Sequence, residues 1–246
     1  MVKLSVNVNK VAVVRNSRGG SVPSVLDAVE ACLRAGAKGI TVHPRHDQRH
    51  ITSADVREIA RVLEPFRREV ELNIEGDPKP EWMELVCSVR PHQATLVPVR
   101  PGELTSEAGW DVSTDGSEMK ERIRQLQACS IRVSLFVDAE KEPIRWAKKM
   151  GADRIELYTG PYASEFLRGA DRAAKSYARY ERSAGLAHEL GLGINAGHDL
   201  DLDNLRVFRW LPHLDEVSIG HALISRAIFV GLRKVVREYL KLLAER

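Results

Sequence analysis

Residues 39–50, GITVHPRHDQRH, combine a short apolar strand with a loop that is dense in basic side chains. The apolar part, GITV, contains the β-branched residues that favour a buried strand. The basic residues that follow are His43, Arg45, His46, Arg49 and His50. Such a loop has the groups for binding a phosphorylated anion and moving protons beside it, and a solvated loop is the alternative. A strand that ends in polar residues is also the unit that repeats along the chain.

Further strands of this kind alternate with amphipathic helices from one end of the chain to the other. Apolar residues at helical spacing, such as Val25, Val29 and Cys32, mark the helices. The predicted strands are Leu4–Asn9, Gly39–Pro44, Val70–Gly76, Gln93–Pro98, Arg132–Asp138, Arg154–Gly160, Gly193–His198 and Glu216–His221. Strand–helix units repeated eight times in 246 residues predict an α/β fold, a (β/α)8 TIM barrel with one domain over residues 1–246. A doubly wound open sheet is the alternative, but the evenly spaced eighth unit favours closure.

Composition and charge exclude several classes of function. The net charge of +3 argues against a nucleic-acid binder with a broad basic face, and it fits small anionic ligands held by local cations. Cys32, Cys87 and Cys129 are widely spaced and predict neither a disulfide framework nor a metal site, so we expect buried thiols in a reducing cytoplasm. Because MVKLSVNVNK leads directly into the first predicted strand, we expect no secretory leader, and no apolar run is long enough to cross a membrane.

Boundary residues and connection lengths refine this prediction. Thr52 begins a helical run through Phe66, and glycines, among them Gly36, stand where helices end. The connections Arg100–Ser117 and Pro161–Lys175 are longer than a barrel needs. We expect a lid in the first, and a lid or a subunit contact in the second. The last helix, from about Ile224 to Glu245, is predicted to cover the barrel, with a subunit contact as the alternative.

Side chains alternate along a strand, so the apolar phase faces the helices and the other phase faces the barrel lumen. The predicted inward residues are Ser5, Asn7, Asn9, Thr41, His43, Asn73, Glu75, Glu156, Tyr158, Asn195 and Ser218. Lumens of this fold are normally filled by Val, Ile and Leu. A polar lumen predicts a hydrated channel in which acid and base pKa values are pushed apart for catalysis, and a purely structural hydrogen-bond network is the alternative.

Two glycine–histidine pairs end the last strands. Gly197–His198 follows strand seven, and Gly220–His221 follows strand eight just before a helix, where backbone N–H groups can hold a phosphate. Each glycine taken alone is more typical of a turn. Arg15 and Arg18 follow strand one and add cations on the same face, with solvated loop arginines as the alternative.

The assembled motifs resemble the pyridoxine 5′-phosphate synthase family over essentially the whole chain. The motifs that carry the resemblance are VNVNKVAVVRNSRGG, GITVHPRHDQRHIT, NIEG, LVP followed by TSEAGWDV, RVSLFVDA, IELYTGPYA, NAGHDL and SIGHALI. The resemblance implies a cytoplasmic TIM barrel, an octamer built from dimers, that uses no metal or organic cofactor. It also implies the condensation of 1-deoxy-D-xylulose 5-phosphate with 3-amino-2-oxopropyl phosphate into pyridoxine 5′-phosphate, phosphate and water.

The resemblance also implies roles for residues of this chain. His43 and Glu75 match the proton acceptors, His198 matches the proton donor, and Glu156 matches a carboxylate that stabilises the transition state. Residues that match contacts to the deoxyxylulose phosphate are Arg45, His50 and Thr105. Residues that match contacts to the aminoketone phosphate are Asn7, Arg18, Gly220 and His221. His46, Asp47 and Arg49 receive no role and are interpreted as loop surface.

Three positions depart from the usual family pattern. Asn9 and Lys10 stand where the family usually has Asp-His, and Asp199 stands where a glycine usually follows the strand-seven histidine. We interpret them as a subgroup in which all three contact substrate, although proton transfer at Asn9 and Lys10 is in doubt and a structural role for Lys10 is the alternative. Two other functions stay open: a phosphosugar isomerase or epimerase, which needs one phosphate site, and a non-catalytic barrel that binds phosphorylated metabolites.

Overall fold

The computed structural model describes residues 1–99, 106–113 and 116–245. Eight strands close into a barrel in sequence order, and every neighbouring pair is parallel. The strands are β1 (Lys3–Asn7), β2 (Gly39–Val42), β3 (Glu71–Gly76), β4 (Gln93–Leu96), β5 (Arg132–Val137), β6 (Arg154–Tyr158), β7 (Gly193–Gly197) and β8 (Leu214–Ile219). The predicted TIM barrel is confirmed, and the open sheet is wrong.

Helices surround the barrel. They are α1 (Asn9–Asn16), α2 (Val25–Ala35), α3 (Ser53–Leu63), α4 (Pro80–Val89), α5 (Ser117–Ala128), α6 (Lys141–Met150), α7 (Gly160–Leu167), α8 (Ala170–Glu189), α9 (Leu205–Phe208), α10 (His221–Val230) and α11 (Leu232–Ala244). A capping box begins α3, in which the Thr52 hydroxyl accepts from the Asp55 N–H while the Asp55 carboxylate accepts from the Thr52 N–H. Gly36 ends α2 with a left-handed φ of 102°, as predicted for a helix end.

The hydrophobic core lies between the barrel wall and the helices. Outward residues of the strands, such as Leu4, Val6, Ile40 and Ile74, are fully or almost fully buried. The inward side is polar: Ser5, Thr41, Asn73, Gln93, Thr95, Ser134, Glu156, Asn195 and Glu216 are all buried. The predicted polar lumen is therefore confirmed.

Several predicted boundaries are wrong by one or two residues, mostly at the C-terminal ends of strands. β1 ends at Asn7, and Asn9 and Lys10 already belong to α1, which also contains Arg15. β2 ends at Val42, so His43 follows the strand directly. Polar residues at strand ends continue the alternating pattern after the ladder has stopped, and the pattern alone does not show where pairing ends.

Larger corrections concern the second long connection and the last helix. Pro161–Lys175 is almost entirely helical, because α7 and α8 occupy it with a break at Arg168 and Gly169. The last helix is two helices, α10 and α11, separated by Gly231 at a φ of 87°. α11 buries its apolar face against the rest of the protein, as predicted for a covering helix. Within the first long connection, the described residues 106–113 contain neither helix nor strand.

The three cysteines are free in the structure, and only one of them is fully buried. Cys32 lies in the core. Cys87 and Cys129 are half-buried, with their Sγ atoms 2.9 Å apart, so the prediction of three buried thiols is wrong for this pair.

Candidate active site

The predicted catalytic residues meet at one end of the barrel, which we call the mouth. Glu75 lies near the end of β3, His43 follows β2 and His198 follows β7. Gly220 follows β8 and directly precedes α10. Since all eight strands are parallel, their carboxyl ends share this end, where active sites of the fold lie.

His43 and Glu75 form the centre of the mouth. The His43 Nδ1 atom lies 3.7 Å from Glu75 Oε2, and Asn7 Nδ2 donates to the same oxygen over 3.4 Å. Both His43 and Glu75 are buried, and among the described residues His43 Nε2 has no hydrogen-bond partner. One ring nitrogen of His43 therefore faces Glu75, and the other is available to a ligand.

Burial sets the protonation of this pair. Burial, followed by the neighbours His50, Arg45 and His198, lowers the pKa of His43 to about 3. Burial and the nearby Glu216 carboxylate raise the pKa of Glu75 to about 8. At neutral pH the histidine is consequently a neutral base and the carboxyl group retains its proton, which is the arrangement of a paired base and acid.

Asn9 holds the strand end that carries His43. Its backbone N–H donates to Asn7 Oδ1 over 3.0 Å, and its own Oδ1 accepts from the backbone N–H of His43 over 2.9 Å. An amide and a carboxylate both supply this acceptor, so Asn9 can replace an aspartate here without loss of the hydrogen bond. Lys10, in the first turn of α1, is half-buried and contributes positive charge that lowers the pKa values of His50 and His198.

Arg45 and His50 form a cationic side of the mouth. The Arg45 side chain is largely buried, and its Nε lies 3.6 Å from Asp47 Oδ2. The ring of His50 lies edge-on to that of His43, with 5.9 Å between centroids. Burial, then the charges of Arg45 and Lys10, lower the pKa of His50 to about 4, so at neutral pH it can donate one hydrogen bond as a neutral ring.

Asp47 has a role that the sequence did not suggest. Besides Arg45 it pairs with Arg49, whose guanidinium lies 2.6 Å from Asp47 Oδ2. The interpretation of His46 and Asp47 as exposed loop is confirmed, but the carboxylate of Asp47 also orients the loop that presents Arg45.

Arg15 does not belong to the set of free cations. Its guanidinium makes two bonds to Asp55, at 2.5 and 2.9 Å, and a third to the His50 carbonyl at 3.3 Å. Since its charge is neutralised, the prediction of Arg15 as an anion-binding cation is wrong, and the pair instead joins α1 to α3. Arg18 lies beyond the end of α1 and is exposed.

His198 occupies a constrained turn between β7 and the following loop. Its φ is 81° and that of Asp199 is 57°, both in the left-handed region, which aspartate tolerates better than most residues. The Thr159 hydroxyl donates to the carbonyls of Gly197 and His198, and Asn204 Nδ2 donates to the Asp199 carbonyl over 3.0 Å. These bonds hold the turn with His198 and Asp199 in the left-handed region. The Asp199 side chain is exposed.

Aromatic residues surround the imidazole of His198. Phe136 and Tyr158 lie with their ring centroids 5.5 and 5.4 Å from it. Burial lowers the pKa of His198, Asp199 opposes this and Lys10 adds to it. Phe136 and Thr159 were absent from the predicted site, although Phe136 is inward by the alternation of β5.

Gly220 and His221 begin α10 at the mouth. A Cβ atom at position 220 would lie 3.1 Å from the Cβ of Asn7, so a larger residue would press on the strand that carries the amide bound to Glu75. No side chain caps α10, and its first N–H groups are therefore available to an anion. The His221 side chain is exposed.

Glu156 lies deeper in the lumen than the mouth. Its Oε2 atom has no hydrogen-bond partner among the described residues, and a Cβ at Gly197 would lie 2.1 Å from its Oε1. Burial and the charges of Glu75 and Glu216 raise its pKa well above the ordinary value. Glu216 is a third lumen carboxylate that the prediction missed, although it stands two residues before the inward Ser218.

Thr105, predicted to contact the deoxyxylulose phosphate, lies outside the described residues. Over the described ranges, no group of three His, Cys, Asp or Glu side chains is arranged to hold a metal ion. A search of the same ranges finds no helix with the length and apolar character needed to cross a membrane.

Comparison with solved structures shows the fold. Phosphoribosyl anthranilate isomerase from Thermotoga maritima aligns over 100% of both chains with a TM-score of 0.63 and 13% identity. The corresponding enzyme from Thermus thermophilus aligns over 99% of this chain and 98% of its own, with a TM-score of 0.61 and 15% identity. At this level of identity the likeness extends to the barrel and not to the chemistry.

Comparison of sequences is more specific. Residues 4–245 match the family described as pyridoxal phosphate biosynthesis protein PdxJ. A pyridoxine 5′-phosphate synthase from Christiangramia forsetii is 52% identical over 244 residues, which cover 99% of this chain and 100% of the relative. One from Porphyromonas gingivalis is 49% identical over 245 residues, again 99% of this chain and 100% of the relative. The chain therefore belongs to the PdxJ family of pyridoxal phosphate biosynthesis proteins.

Proposed function

We propose that this protein is a pyridoxine 5′-phosphate synthase that condenses 1-deoxy-D-xylulose 5-phosphate with 3-amino-2-oxopropyl phosphate. The observation that carries the proposal is the buried His43–Glu75 pair, 3.7 Å apart. The mouth around it has two cationic sides, one formed by Arg45 and His50 and the other by the positive N-terminus of α10. Family membership with about 50% identity to named synthases supports the same reaction.

Each cationic side takes one phosphate. Arg45 and His50, with Thr105, hold the deoxyxylulose phosphate. The N-terminus of α10 at Gly220 and His221, with Asn7 and Arg18, holds the aminoketone phosphate. Asn9, Lys10 and Asp199 complete the substrate contacts, Asn9 chiefly through the backbone of His43. Two fixed phosphates bring the reacting ends together over His43, and positioning of this kind provides much of the rate enhancement.

The reaction is a sequence of proton transfers. The amine adds to the ketone, the resulting carbinolamine loses water, phosphate leaves, a carbon–carbon bond closes the ring and a further dehydration makes it aromatic. His43 Nε2, neutral and without a partner among the described residues, removes protons from the reacting nitrogen and carbon. Glu75 exchanges protons with His43, His198 returns protons to the leaving oxygens, and Glu156 stabilises the transition state.

Two alternative functions explain less of the site. A phosphosugar isomerase or epimerase needs one phosphate site and leaves the second cationic side unused. A barrel that only binds phosphorylated metabolites does not need a buried acid and base in contact. No separate observation favours either of them.

Incubation of the purified protein with both substrates tests the proposal. We expect the absorbance of pyridoxine 5′-phosphate to appear together with one equivalent of inorganic phosphate, and neither substrate alone to give product. A folded protein that forms no product at any ratio of the two substrates would refute the synthase assignment.

The assembly and location follow from the same proposal. We place the enzyme in the cytoplasm as a homo-octamer built from dimers, without a cofactor. The exposed side chains of Ile228 and Phe229 on α10 and of Leu167 at the end of α7 support burial against other subunits. Light scattering that gives the mass of a monomer at micromolar concentration would contradict the octamer.

A further inference from the structure

Glu216 is a buried carboxylate that the proposed reaction does not use. It lies in β8, is 4% exposed and faces the lumen two residues before Ser218. Unpaired carboxylates are costly to bury, so a lumen with three of them, Glu75, Glu156 and Glu216, calls for a physical reason.

Strand register places Glu216 in one row of inward side chains. Phe136 pairs with Glu156, Glu156 with Asn195, Asn195 with Glu216, and Glu216 with Lys3. The row crosses five neighbouring strands. It starts at Phe136, next to His198 in the mouth. It ends at Lys3, whose side chain is 49% exposed at the opposite end of the barrel, which we call the floor.

Polar atoms without partners lie along this row. Among the described residues, Glu156 Oε2 and Asn195 Nδ2 in the row, and Ser134 Oγ two residues before Phe136, are buried and make no hydrogen bond. Arg154 donates to Asn195 Oδ1 over 2.8 Å, which turns the free amide N–H groups of Asn195 toward the lumen between the two carboxylates. Buried groups of this kind normally bind ordered water, and water between carboxylates conducts protons.

Charged groups on every side of Glu216 keep it poised between its two protonation states. Burial and the carboxylate of Glu71 raise its pKa to about 7, against the opposing charges of Arg154, Arg132 and Lys3. On the mouth side its charge in turn raises the pKa values of Glu75 and Glu156, and Asp215 is its neighbour in the chain. A group that titrates near neutral pH can accept and release a proton in each catalytic cycle.

We propose that Glu216 is a proton-relay residue that connects the acid–base pair at the mouth, through Glu156, with the floor of the barrel. The inference rests on the proposed function, because a synthase that loses water repeatedly must return its acid and base to their starting states. Glu156, which carries a proton, passes it over water beside Asn195 to the Glu216 carboxylate and takes the proton of Glu75 in exchange. Glu216 then releases its proton to solvent at the floor, beside Lys3. Glu75 and Glu216 end as carboxylates, and Glu156 ends protonated as it began. Glu216 does not touch substrate, and it acts through Glu156 and Glu75.

Glu216→Gln tests the relay in the full chain, because glutamine has the shape of a protonated glutamate. We expect kcat to fall about tenfold or more, with both KM values within about twofold. We also expect the solvent deuterium isotope effect on kcat to rise and the kcat–pH profile to change near neutral pH. Glu216→Asp, which keeps the carboxylate, should recover part of the loss. Thr95→Val is the control, since it removes a lumen hydroxyl bonded to Asn73 Oδ1 at 3.0 Å on another part of the wall, and its isotope effect should be that of the wild type.

A second readout does not depend on turnover. The infrared spectrum of the wild type, minus that of Glu216→Gln, should show a protonated carboxyl band that disappears as pH rises through neutrality. If the wild type is active and Glu216→Gln has the same kcat, isotope effect and pH profile, the relay is overturned and the proposed function is not affected. If Glu216→Gln does not fold, Glu216→Met, which also lacks a titratable group, replaces it, and an unchanged kcat and isotope effect in that variant overturn the relay equally. An inactive wild type refutes the proposed function instead, and the absence of the carboxyl band then decides against the relay independently.

Discussion

The mouth and the floor of the barrel use the same kinds of charged side chains in opposite ways. At the floor, Glu71 bonds to Lys3 at 2.6 Å and to Arg132, and Arg154 lies 3.4 Å from Asp215. At the mouth, His43, Arg45 and His50 each retain a buried nitrogen without a hydrogen-bond partner among the described residues. Polar groups that form hydrogen bonds or ion pairs with one another stabilise a fold, and polar groups that lack such partners are available to a ligand.

The same contrast between mouth and floor is found within a single strand, β3. Glu71 and Glu75 both face inward, four residues apart, one at each end of the lumen. Hydrogen bonds from Lys3 and Arg132 overcome burial and lower the pKa of Glu71 to about 2, whereas burial without such bonds raises the pKa of Glu75 to about 8. The difference shows that the partners within reach, and not the residue type, decide whether a carboxylate is structural or chemical.

The largest effect is expected at the mouth. Glu75→Gln should lower kcat about a thousandfold, because the variant cannot exchange protons with His43. Binding of inorganic phosphate should change less than about twofold, since the cationic sides remain intact. Steady-state kinetics and calorimetric titration measure the two quantities. Normal turnover in this variant would remove Glu75 from the mechanism.

Glu71→Gln is the matched change at the floor. It should leave kcat within about threefold, and it should reduce the free energy of unfolding by about 1–3 kcal/mol, because Lys3 and Arg132 lose their shared partner. The pKa of Glu71 is lower in the folded chain than in the unfolded chain, so its contribution is present at neutral pH and is lost as pH falls toward about 2. Urea unfolding at several pH values measures the difference, and equal stability of the two proteins at pH 7 would contradict the structural role.

Arg45→Ala should raise the KM for 1-deoxy-D-xylulose 5-phosphate about tenfold and leave the KM for the aminoketone phosphate nearly unchanged. Arg49→Ala, in the same loop and paired with the same Asp47, is the control and should change neither KM by more than about twofold. Equal effects of the two substitutions would indicate that only the loop conformation matters.

The smallest effect concerns stability and pH. The pKa of Glu75 is higher in the folded chain than in the unfolded chain, so its contribution to stability is full below its ordinary pKa and is lost as pH rises to about 8. Glu75→Gln cannot ionise, and we expect it to gain about 1–2 kcal/mol relative to the wild type between pH 5 and about pH 8.5. For Glu71→Gln, the stability relative to the wild type should change in the opposite direction, with the deficit becoming smaller as pH falls below 5. If the free energy of unfolding depends on pH in the same way in the wild type, Glu75→Gln and Glu71→Gln, the pKa directions given for Glu75 and Glu71 are both contradicted.

The regular alternation of strands and helices along the sequence was sufficient to predict the fold. Eight alternations of strand and helix predict a closed barrel because parallel strands need crossover helices and eight of them complete the ring. The same period identified His43, Glu75 and Glu156, since alternation along a strand separates inward from outward residues. Glu216 was not among the predicted lumen residues, although it stands two residues before Ser218 and the same alternation makes it inward.

Partners distant in sequence were not predictable. Arg15 looked like a free cation because Asp55, which neutralises it, lies 40 residues away on another helix. Asn9 looked like a replaced catalytic acid, and its bond to the backbone of His43 spans 34 residues. The helical break at Gly231 depends on a φ of 87°, which the amphipathic pattern of the flanking residues does not reveal.

The sequence by itself determined the barrel, its polar lumen and the residues that converge on its mouth, because these follow from local periodicity and from the shared direction of parallel strands. Only the tertiary structure decided which charges are neutralised. The ion pairs of Arg15 and Glu71, the open nitrogens of His43 and His50, and the row from Glu156 to Lys3 all depend on contacts between strands and helices that are far apart in the chain. Electrostatic roles depend on distance and burial, and neither is written in the order of the residues.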